Sequence, residues 1–452
     1  MKLSLRIVLV VLSVLLITAS FPPFYFWGLS FVAWLPLLVA LKGATVRQGF
    51  YLGFGHGVLT FGGTLIWMFS IFSIGAVALW AILALFTAFF AAFVSKRGES
   101  HPLIIATIWT GFEYCRGELF WLNFPWITPG TGLPPSWVTA MIGSYGVGYL
   151  VILANAFLLK KGKSPFYGVG VMVALLIAQM TFTKVPEVES DITVTLIQNE
   201  VLIPEAYLAT TLELSDGHGP IVWPEYAYGE YLSAKPEKNE ELFGFLAKHE
   251  RILVTGGKQG CSSKDGKWKN SAFTFDGSSL LGTHVKNHPV HFFDDGQKGT
   301  TAEAVETSFG RIGTPICFDC DYQDVVRKMT KDGAEFFLVP SMDAEHWTAR
   351  QHEQHAVLFR HRAAENGRSI AVAATSGVTQ IIGPHGHVRA RLPGMGAGVL
   401  EGKVTSGSYR TLFQAGGWLF GPLMLVLTGC IIFQMKIADF GSRPDHVSKD
   451  YS

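Results

Sequence analysis

Charge is what this sequence has least of. Only 16% of its 452 residues are charged, against about 25% in an ordinary soluble domain. The shortage is local: residues 1–183 carry 10 Lys/Arg and 3 Asp/Glu of the 71 charged side chains, and the rest of the chain has a normal soluble composition. An excess of either sign is also missing. A net charge of +1 offers no polyanion-binding face and argues against nucleic acid as a partner. Five cysteines are too few for a disulfide framework, and there are no internal repeats or low-complexity tracts. Apolar residues are plentiful: 49% hydrophobic and 13% aromatic, with a mean hydropathy of +0.31. Disorder is excluded, because this much apolar surface has to be buried.

A membrane-spanning helix needs about 20 mostly apolar residues. Seven candidates precede residue 184: Leu5–Ser20, Phe24–Leu41, Gly49–Phe72, Ala76–Ser95, Leu103–Cys115, Thr139–Leu159 and Phe166–Phe182. An eighth, Leu412–Met435, follows the soluble region. The first has the basic start of a secretory signal (Lys2, Arg6), but no small-x-small cleavage site follows and six more apolar segments do, so it reads as a retained helix. Lys and Arg mark the cytoplasmic side. They occupy every second connection: Lys2; Lys42 and Arg47; Lys96 and Arg97; Lys160, Lys161 and Lys163; then Lys436 and Arg443 after the eighth segment. The pattern predicts a cytoplasmic N-terminus, seven spans over 1–183, an extracytoplasmic domain over 184–410, an eighth span over 411–436 and a cytoplasmic tail over 437–452. Gly53, Gly55 and Gly57 around His56 suit close helix packing. Glu113 and Arg116, one turn apart, either pair with each other or present Arg116 to a lipid phosphate.

The soluble region alternates short Val/Ile/Phe-rich runs with helical stretches, the signature of an α/β sandwich. Candidate strands are Ile192–Gln198, Ile221–Trp223, Ile252–Gly256, Ala272–Phe275, Arg311–Ile316, Phe336–Val339 and Ile370–Ala374. Candidate helices are Lys238–Glu250, Gln323–Lys331 and Thr348–Asn366, the last stopped by Gly367.

Three strand ends finish in a reactive residue. Ile221-Val222-Trp223-Pro224 stops at Glu225, Gly282-Thr283-His284-Val285 runs into Lys286, and a Gly-flanked strand runs into Cys317. Taken singly these are a turn carboxylate, a surface lysine and a buried cysteine. Together they form a reaction centre. A Cys nucleophile needs a base, which a carboxylate supplies, and its tetrahedral intermediate needs a positive donor, which Lys supplies along with backbone N–H groups. Cys317-x-x-Cys320 resembles a redox pair or half a zinc site, but a zinc site needs a second pair. Oxidation linking the two would block the nucleophile. Nine of the 14 His fall in 284–387, including His352 and His355, without the spacing of a zincin helix; they read as hydrogen-bonded rather than metal-binding.

The order Glu225, Lys286, Cys317 resembles the Glu-Lys-Cys triad of the nitrilase (carbon-nitrogen hydrolase) superfamily. More fully, the chain is similar to the apolipoprotein N-acyltransferase family, in which a nitrilase-like domain is inserted before the last membrane helix. Phe21–Gly28, Glu113-Tyr114-Cys115-Arg116-Gly117 with Phe124-Pro125-Trp126, Val222-Trp223-Pro224-Glu225 and Thr375-Ser376-Gly377-Val378-Thr379 carry the resemblance. It implies a polytopic α-helical membrane protein with an inserted α/β nitrilase-like (αββα) domain, in the bacterial inner membrane with that domain on the periplasmic side. It implies a phospholipid acyl donor, a diacylglyceryl-cysteine apolipoprotein acceptor, a thioester on Cys317, and no cofactor or metal. Trp223, Phe318, Asp319 and Asp294 would support catalysis or bind substrate. The family usually has Tyr-Glu where Phe318-Asp319 stand, Glu where Asp294 stands, and an Asn/Ser-Asp-aromatic pattern where Ser341–Trp347 stands. These departures imply normal acylation by the donor and a retuned transfer to the acceptor. A membrane-anchored amidase that gives the acyl group to water, and a catalytically silent lipoprotein-binding scaffold, remain as alternatives.

Overall fold

The computed structural model describes residues 1–97, 101–182, 184, 192–214, 217–228, 239–260, 267–407 and 409–441. The membrane block is built from helices α1 (Leu3–Ser20), α2 (Leu35–Leu41), α3 (Val46–Thr64), α4 (Met68–Phe72), α5 (Gly75–Arg97), α6 (Pro102–Tyr114), α7 (Trp137–Leu158) and α8 (Ser164–Phe182). Among the described residues five helices are long and apolar enough to cross a membrane: α1, α5, α7, α8 and the stretch Gly417–Met435. The other three candidate segments are broken. Phe24–Leu41 becomes a 3₁₀ turn and the seven-residue α2, which starts with Pro36 in its first turn. Gly49–Phe72 divides after Thr64 into α3 and α4, and α6 is 13 residues long before a π-helical turn at Cys115–Leu119.

Small residues decide how closely the helices approach. A Cβ on Gly53 would lie 2.4 Å from Ala91 Cβ, and one on Gly57 would lie 2.7 Å from Ala84 Cα, so the two glycines, one turn apart, form the seam between α3 and α5. Gly55 faces open space instead. Arg116 donates to Phe124 O at 2.7 Å and Trp126 O at 3.1 Å, while Glu113 accepts from Trp109 Nε1 at 3.3 Å. Arg116 thus shapes the loop that carries Phe124 and Trp126, and it also interacts electrostatically with Glu113, one of its two expected roles.

Among the described residues twelve strands form two six-stranded sheets. The first has the order β12 (Gly398–Lys403), β1 (Thr193–Gln198), β2 (Ile221–Val222), β3 (Leu253–Gln259), β4 (Lys269–Phe275), β5 (Leu280–Val285). The second has β11 (Val388–Arg391), β10 (Gln380–Ile382), β9 (Ser369–Ala374), β8 (Phe336–Ser341), β7 (Gly310–Gly313), β6 (Val305–Thr307). The period of 2 sorts each strand's side chains between layers. In β8, Phe336 and Leu338 meet Val194, Leu196, Val222 and Val254 of the first sheet. Phe337 and Val339 turn the other way, onto α11 (Asp324–Lys331) and α12 (Ala349–Asn366) through Val325, Met329, Phe359 and Ala363. On the outer face of the first sheet, α9 (Pro204–Leu212) and α10 (Glu240–Lys248) pack Tyr207, Leu242 and Leu246 against Ile197, Ile221 and Leu253. The result is the expected αββα sandwich. α9 and strands β6 and β10–β12 lie outside the sequence-based expectations. They are short or half-exposed, as the burial of β11 and β12 illustrates, so they lack a continuous apolar run.

The chain then returns to the membrane block through α13 (Leu412–Ala415) and α14 (Phe420–Gly441), which runs beyond the expected end at 436. The expected boundary at residue 183 and the tail beyond 441 lie outside the described residues.

Helix α12 seats the sandwich on the membrane helices. Gln354 accepts from Trp67 Nε1 and donates to Thr64 O, both at 2.9 Å, and Arg350 donates to Gly63 O at 2.9 Å. Helix α7 breaks at Ile142–Gly143, where Gly143 has φ +72° and a Cβ would strike Gln323. The Ser144 N–H freed by the break donates to Glu365 Oε1 of α12 at 2.8 Å.

Candidate active site

Each of the three reactive residues sits just past a strand end, and all three come together at one end of the sandwich. Glu225 follows β2, and the chain approaches β3 so closely that a Cβ on Gly256 would lie 2.5 Å from Glu225 Cα. Lys286 follows β5, held by its own N–H to Asn270 O at 2.8 Å. Cys317 opens a 3₁₀ turn (Cys317–Cys320) after β7, with φ +46°, a strained conformation for a residue with a side chain.

Lys286 Nζ lies 2.8 Å from Glu225 Oε1 and 2.8 Å from Asp295 Oδ2, with both Lys286 and Glu225 only 1% exposed. Asn270 Nδ2 donates to Glu225 Oε1 at 2.6 Å and to Asp295 Oδ1 at 2.7 Å. The peptide after β8 touches both reacting groups: Met342 N–H donates to Glu225 Oε2 at 3.0 Å, and Met342 O accepts from Cys317 Sγ at 3.5 Å.

Burial pushes the Glu225 carboxyl up, against the opposing pull of Lys286. Burial also acts on Asp295, but Lys286 and its hydrogen bonds, including one from the Val290 N–H, hold that carboxyl below its usual range. Burial and the Glu225 charge push the Cys317 thiol well up. Lys286, buried but facing two carboxylates, is held well above its ordinary value. Two carboxylates on one ammonium are therefore driven apart, Asp295 downward and Glu225 upward.

Two cavities meet at Cys317. One is an apolar cleft walled by Trp67, Met68, Ile71, Phe72, Leu79 and Leu83 of the membrane block and, on the other side, by Phe318 and Trp347. The other is a pocket of about 430 Å³ in which Glu225, Lys286, Lys258, Asp294 and Asp295 stand among apolar neighbours such as Leu202, Phe293 and Trp347.

The expected supporting residues have different fates. Phe318 lines the apolar cleft and stands edge-on to Tyr322. Asp319 is wholly buried beneath the Cys317 turn, where it accepts four hydrogen bonds; its carboxylate ties the Lys286 segment to the Cys317 segment. Asp294 lines the second pocket, exposed, with Trp268 Nε1 at 3.4 Å, and the carboxylate on Lys286 is its neighbour Asp295. Trp223 lies behind the site, stacked between Tyr207 and Tyr228 and donating to Thr211 Oγ1 at 3.0 Å. It supports the Glu225 strand from the core and lines neither cavity. Cys320 points into the apolar layer under α11 and α12. Cys320→Ser is expected to destabilise the domain by about 1–3 kcal/mol, as a hydroxyl buried among apolar groups does, and to leave the rate of Cys317 alkylation unchanged. Differential scanning fluorimetry and thiol-labelling kinetics read the two effects separately.

Residues 13–157 match the apolipoprotein N-acyltransferase N-terminal domain, and residues 202–412 match the carbon-nitrogen hydrolase domain. The two matches follow one another along the chain and make it similar to the apolipoprotein N-acyltransferases. The chain is 27% identical to an apolipoprotein N-acyltransferase of Geobacter metallireducens, over 91% of both chains. It is 26% identical to one of Nitrosomonas europaea, over 94% of this chain and 96% of the relative. Among solved structures, Saccharomyces cerevisiae Nit3, a member of branch 10 of the nitrilase superfamily, aligns with a TM-score of 0.41 at 20% identity, over 48% of this chain and 90% of that one.

Sequence reasoning missed Asn270, Asp295 and the Met342 main chain. Asn270 stands inside an otherwise ordinary strand, and a main-chain contact has no residue type to betray it. For Asp295 the signal was present as the pair Asp294-Asp295; which of the two faces Lys286 depends on how the loop after Lys286 folds.

Proposed function

We propose that this protein transfers a fatty acyl chain from a phospholipid to the N-terminal amine of a diacylglyceryl-cysteine apolipoprotein, through a thioester on Cys317. The observation that carries this reading is the meeting of the two cavities at the nucleophile. The cleft walled by α4 and α5 suits an acyl chain arriving from the bilayer, while the second pocket holds the charged groups and offers an amine its own approach to Cys317.

In the first half-reaction Glu225 takes the thiol proton and the sulfur attacks the ester carbonyl. Lys286 and the backbone N–H groups after Cys317 hold the oxyanion. The intermediate collapses, the ester C–O bond breaks, and Glu225 returns its proton to the departing lysophospholipid oxygen. In the second, the acceptor's neutral amine attacks the thioester carbonyl, Glu225 removes the proton from nitrogen, and the thiol of Cys317 is regenerated as the amide forms. The departures at Phe318 and Asp294 border the two cavities and would retune acceptor handling. Asp319, tied into the scaffold, would not.

The test is mass spectrometry of the Cys317 peptide from full-length protein in detergent. Phospholipid alone should add one acyl chain to Cys317, and a diacylglyceryl lipopeptide with a free amine should then remove the chain and carry it. Release as free fatty acid instead would mark a hydrolase, and absence of any adduct would sink both readings.

The orientation belongs to the same proposal: eight spans, both ends cytoplasmic, and the sandwich on the periplasmic side of the inner membrane. Reporter fusions after Lys163 should read cytoplasmic and those at Gly260 or Gly296 external. A cytoplasmic signal at Gly296 would place the site on the wrong face for a periplasmic acceptor.

A further inference from the structure

Among the described residues, Met342 is the one whose main chain is hydrogen-bonded to both Glu225 and Cys317, so whatever fixes Met342 bears on their relative position. Strand β8 holds it only as far as Ser341. The next residue, Asp343, is tied at every polar group. Its N–H donates to Thr375 Oγ1 at 3.2 Å, and its carbonyl accepts from Thr375 Oγ1 at 3.0 Å and from Ser376 N–H at 3.2 Å. Its carboxylate accepts from Gln351 Nε2 at 2.8 Å and lies 2.8 Å from His355 Nδ1. Gly377 leaves room for that carboxylate, because a Cβ there would lie 2.4 Å from Asp343 Oδ2.

His355 is buried on α12 between two carboxylates. Its Nε2 lies 3.2 Å from Asp321 Oδ1, and Asp321 accepts from Trp126 Nε1 at 2.5 Å. The imidazole also stacks on the Trp126 ring, with centroids 5.7 Å apart and planes at 17°. His355 and Asp343 both line the apolar cleft that ends at Cys317. Nothing in the acyl-transfer chemistry uses either residue.

We infer that His355, as an imidazolium clamped between Asp343 and Asp321, is a positioning residue: through Asp343 it fixes the Met342 peptide, and so the placement of Cys317 against Glu225. The inference rests on Cys317 being the reactive thiol of the proposed function. Burial disfavours the charged imidazole, but the two carboxylates outweigh it and raise its pKa to about 10, so the clamp is closed at neutral pH. The charges facing Cys317 are Glu225, Lys286 and Asp343. A His355 that loses its charge leaves Asp343 with His352 and the Gln351 hydrogen bond but without its nearest imidazole, and the less compensated carboxylate beside the thiol disfavours the thiolate.

The experiment is the rate of Cys317 alkylation by iodoacetamide between pH 6 and 10, on full-length protein in detergent, with thermal melting measured alongside. His355→Phe keeps a ring against Trp126 and loses both charge and hydrogen bond, while His355→Gln keeps a donor for Asp343 and loses the charge. Alkylation at pH 8 should slow by on the order of ten-fold in His355→Phe, with the midpoint of the pH profile moved up by about one unit. His355→Gln should fall between His355→Phe and wild type. If His355→Phe does not fold, a slower rate and a raised midpoint in His355→Gln carry the same conclusion. A wild-type rate and midpoint in His355→Gln would overturn the inference, as would a loss in either variant with no shift of midpoint and in proportion to the drop in melting temperature. Alkylation uses neither donor nor acceptor, so a failed transferase assay leaves this result standing, and an unaltered alkylation profile leaves the transferase reading intact.

Discussion

A Lys286→Ala variant is expected to lose at least about 10²-fold in acyl-enzyme formation, the scale set by removing one oxyanion donor, and to lose stability as well. The second effect separates it from Cys317→Ala, which should abolish the adduct and leave the fold intact. Lys286 is buried between two carboxylates, 2.8 Å from each. Removing the ammonium leaves Glu225 and Asp295 facing each other without a counter-charge, and breaking a buried pair in this way costs about 3–5 kcal/mol. One carboxyl must then take up a proton. That also removes the base, so the rate falls by more than the donor alone explains. Lys286→Ala with Asp295→Asn removes one charge of each sign. It should recover most of the melting temperature and almost none of the activity. Single-turnover acylation from phospholipid, measured beside thermal melting, checks both halves. A double variant that regained activity would mean that Lys286 serves only to neutralise charge. Glu225→Gln keeps the shape of the site and loses the base; it should cost about 10²-fold or more with little change in melting.

How much of this was legible beforehand depends on the kind of signal. Strand ends with a reactive residue are visible in a sequence because a Val/Ile run followed by Pro or Gly sets the position of what comes next. Glu225, Lys286 and Cys317 could therefore be named before their distances were known. The sandwich layers were legible for the same reason in strands such as Phe336–Ser341, where both faces are buried. The breaks in the membrane helices were not. Ile142–Gly143 lies inside an unbroken apolar run, and only Glu365, more than 200 residues away in sequence, compensates the freed Ser144 N–H. His355 was visible as one of a cluster of histidines, but its role depends on Asp321, Asp343 and Trp126 converging from three separate segments. For Arg116 the interaction with Glu113 was legible from their spacing, while its hydrogen bonds to the Phe124 and Trp126 carbonyl groups were not, since the sequence does not distinguish carbonyls.

Asp319 shows the same limit, and its replacement carries the largest expected effect on folding. By resemblance it stands where the family usually has Glu, which invites a role in acceptor choice. The structure gives its carboxylate a different task. Oδ1 accepts from the N–H groups of Asn287 and His288 at 2.8 Å, and Oδ2 accepts from Ile316 N–H at 3.1 Å and lies 2.9 Å from His284 Nε2. The residue has no exposed surface. Asp319→Ala would leave two buried main-chain donors, of Asn287 and Ile316, and the part-buried one of His288 without a partner. Each such loss costs about 1–3 kcal/mol, against a total stability of about 5–15 kcal/mol for a typical domain. The variant should therefore lose most of its folded sandwich, and with it the segment that presents Lys286 to Glu225. Asp319→Glu should also be destabilising, by about 1–3 kcal/mol, because one extra methylene has to fit a closed site. Limited proteolysis and thermal melting of the full-length protein in detergent measure these effects directly. An Asp319→Ala protein that melts like the wild type would mean that water replaces the carboxylate at those N–H groups. If it also acylated Cys317 normally but discriminated among lipopeptide acceptors differently, the residue would belong to the acceptor site rather than to the scaffold.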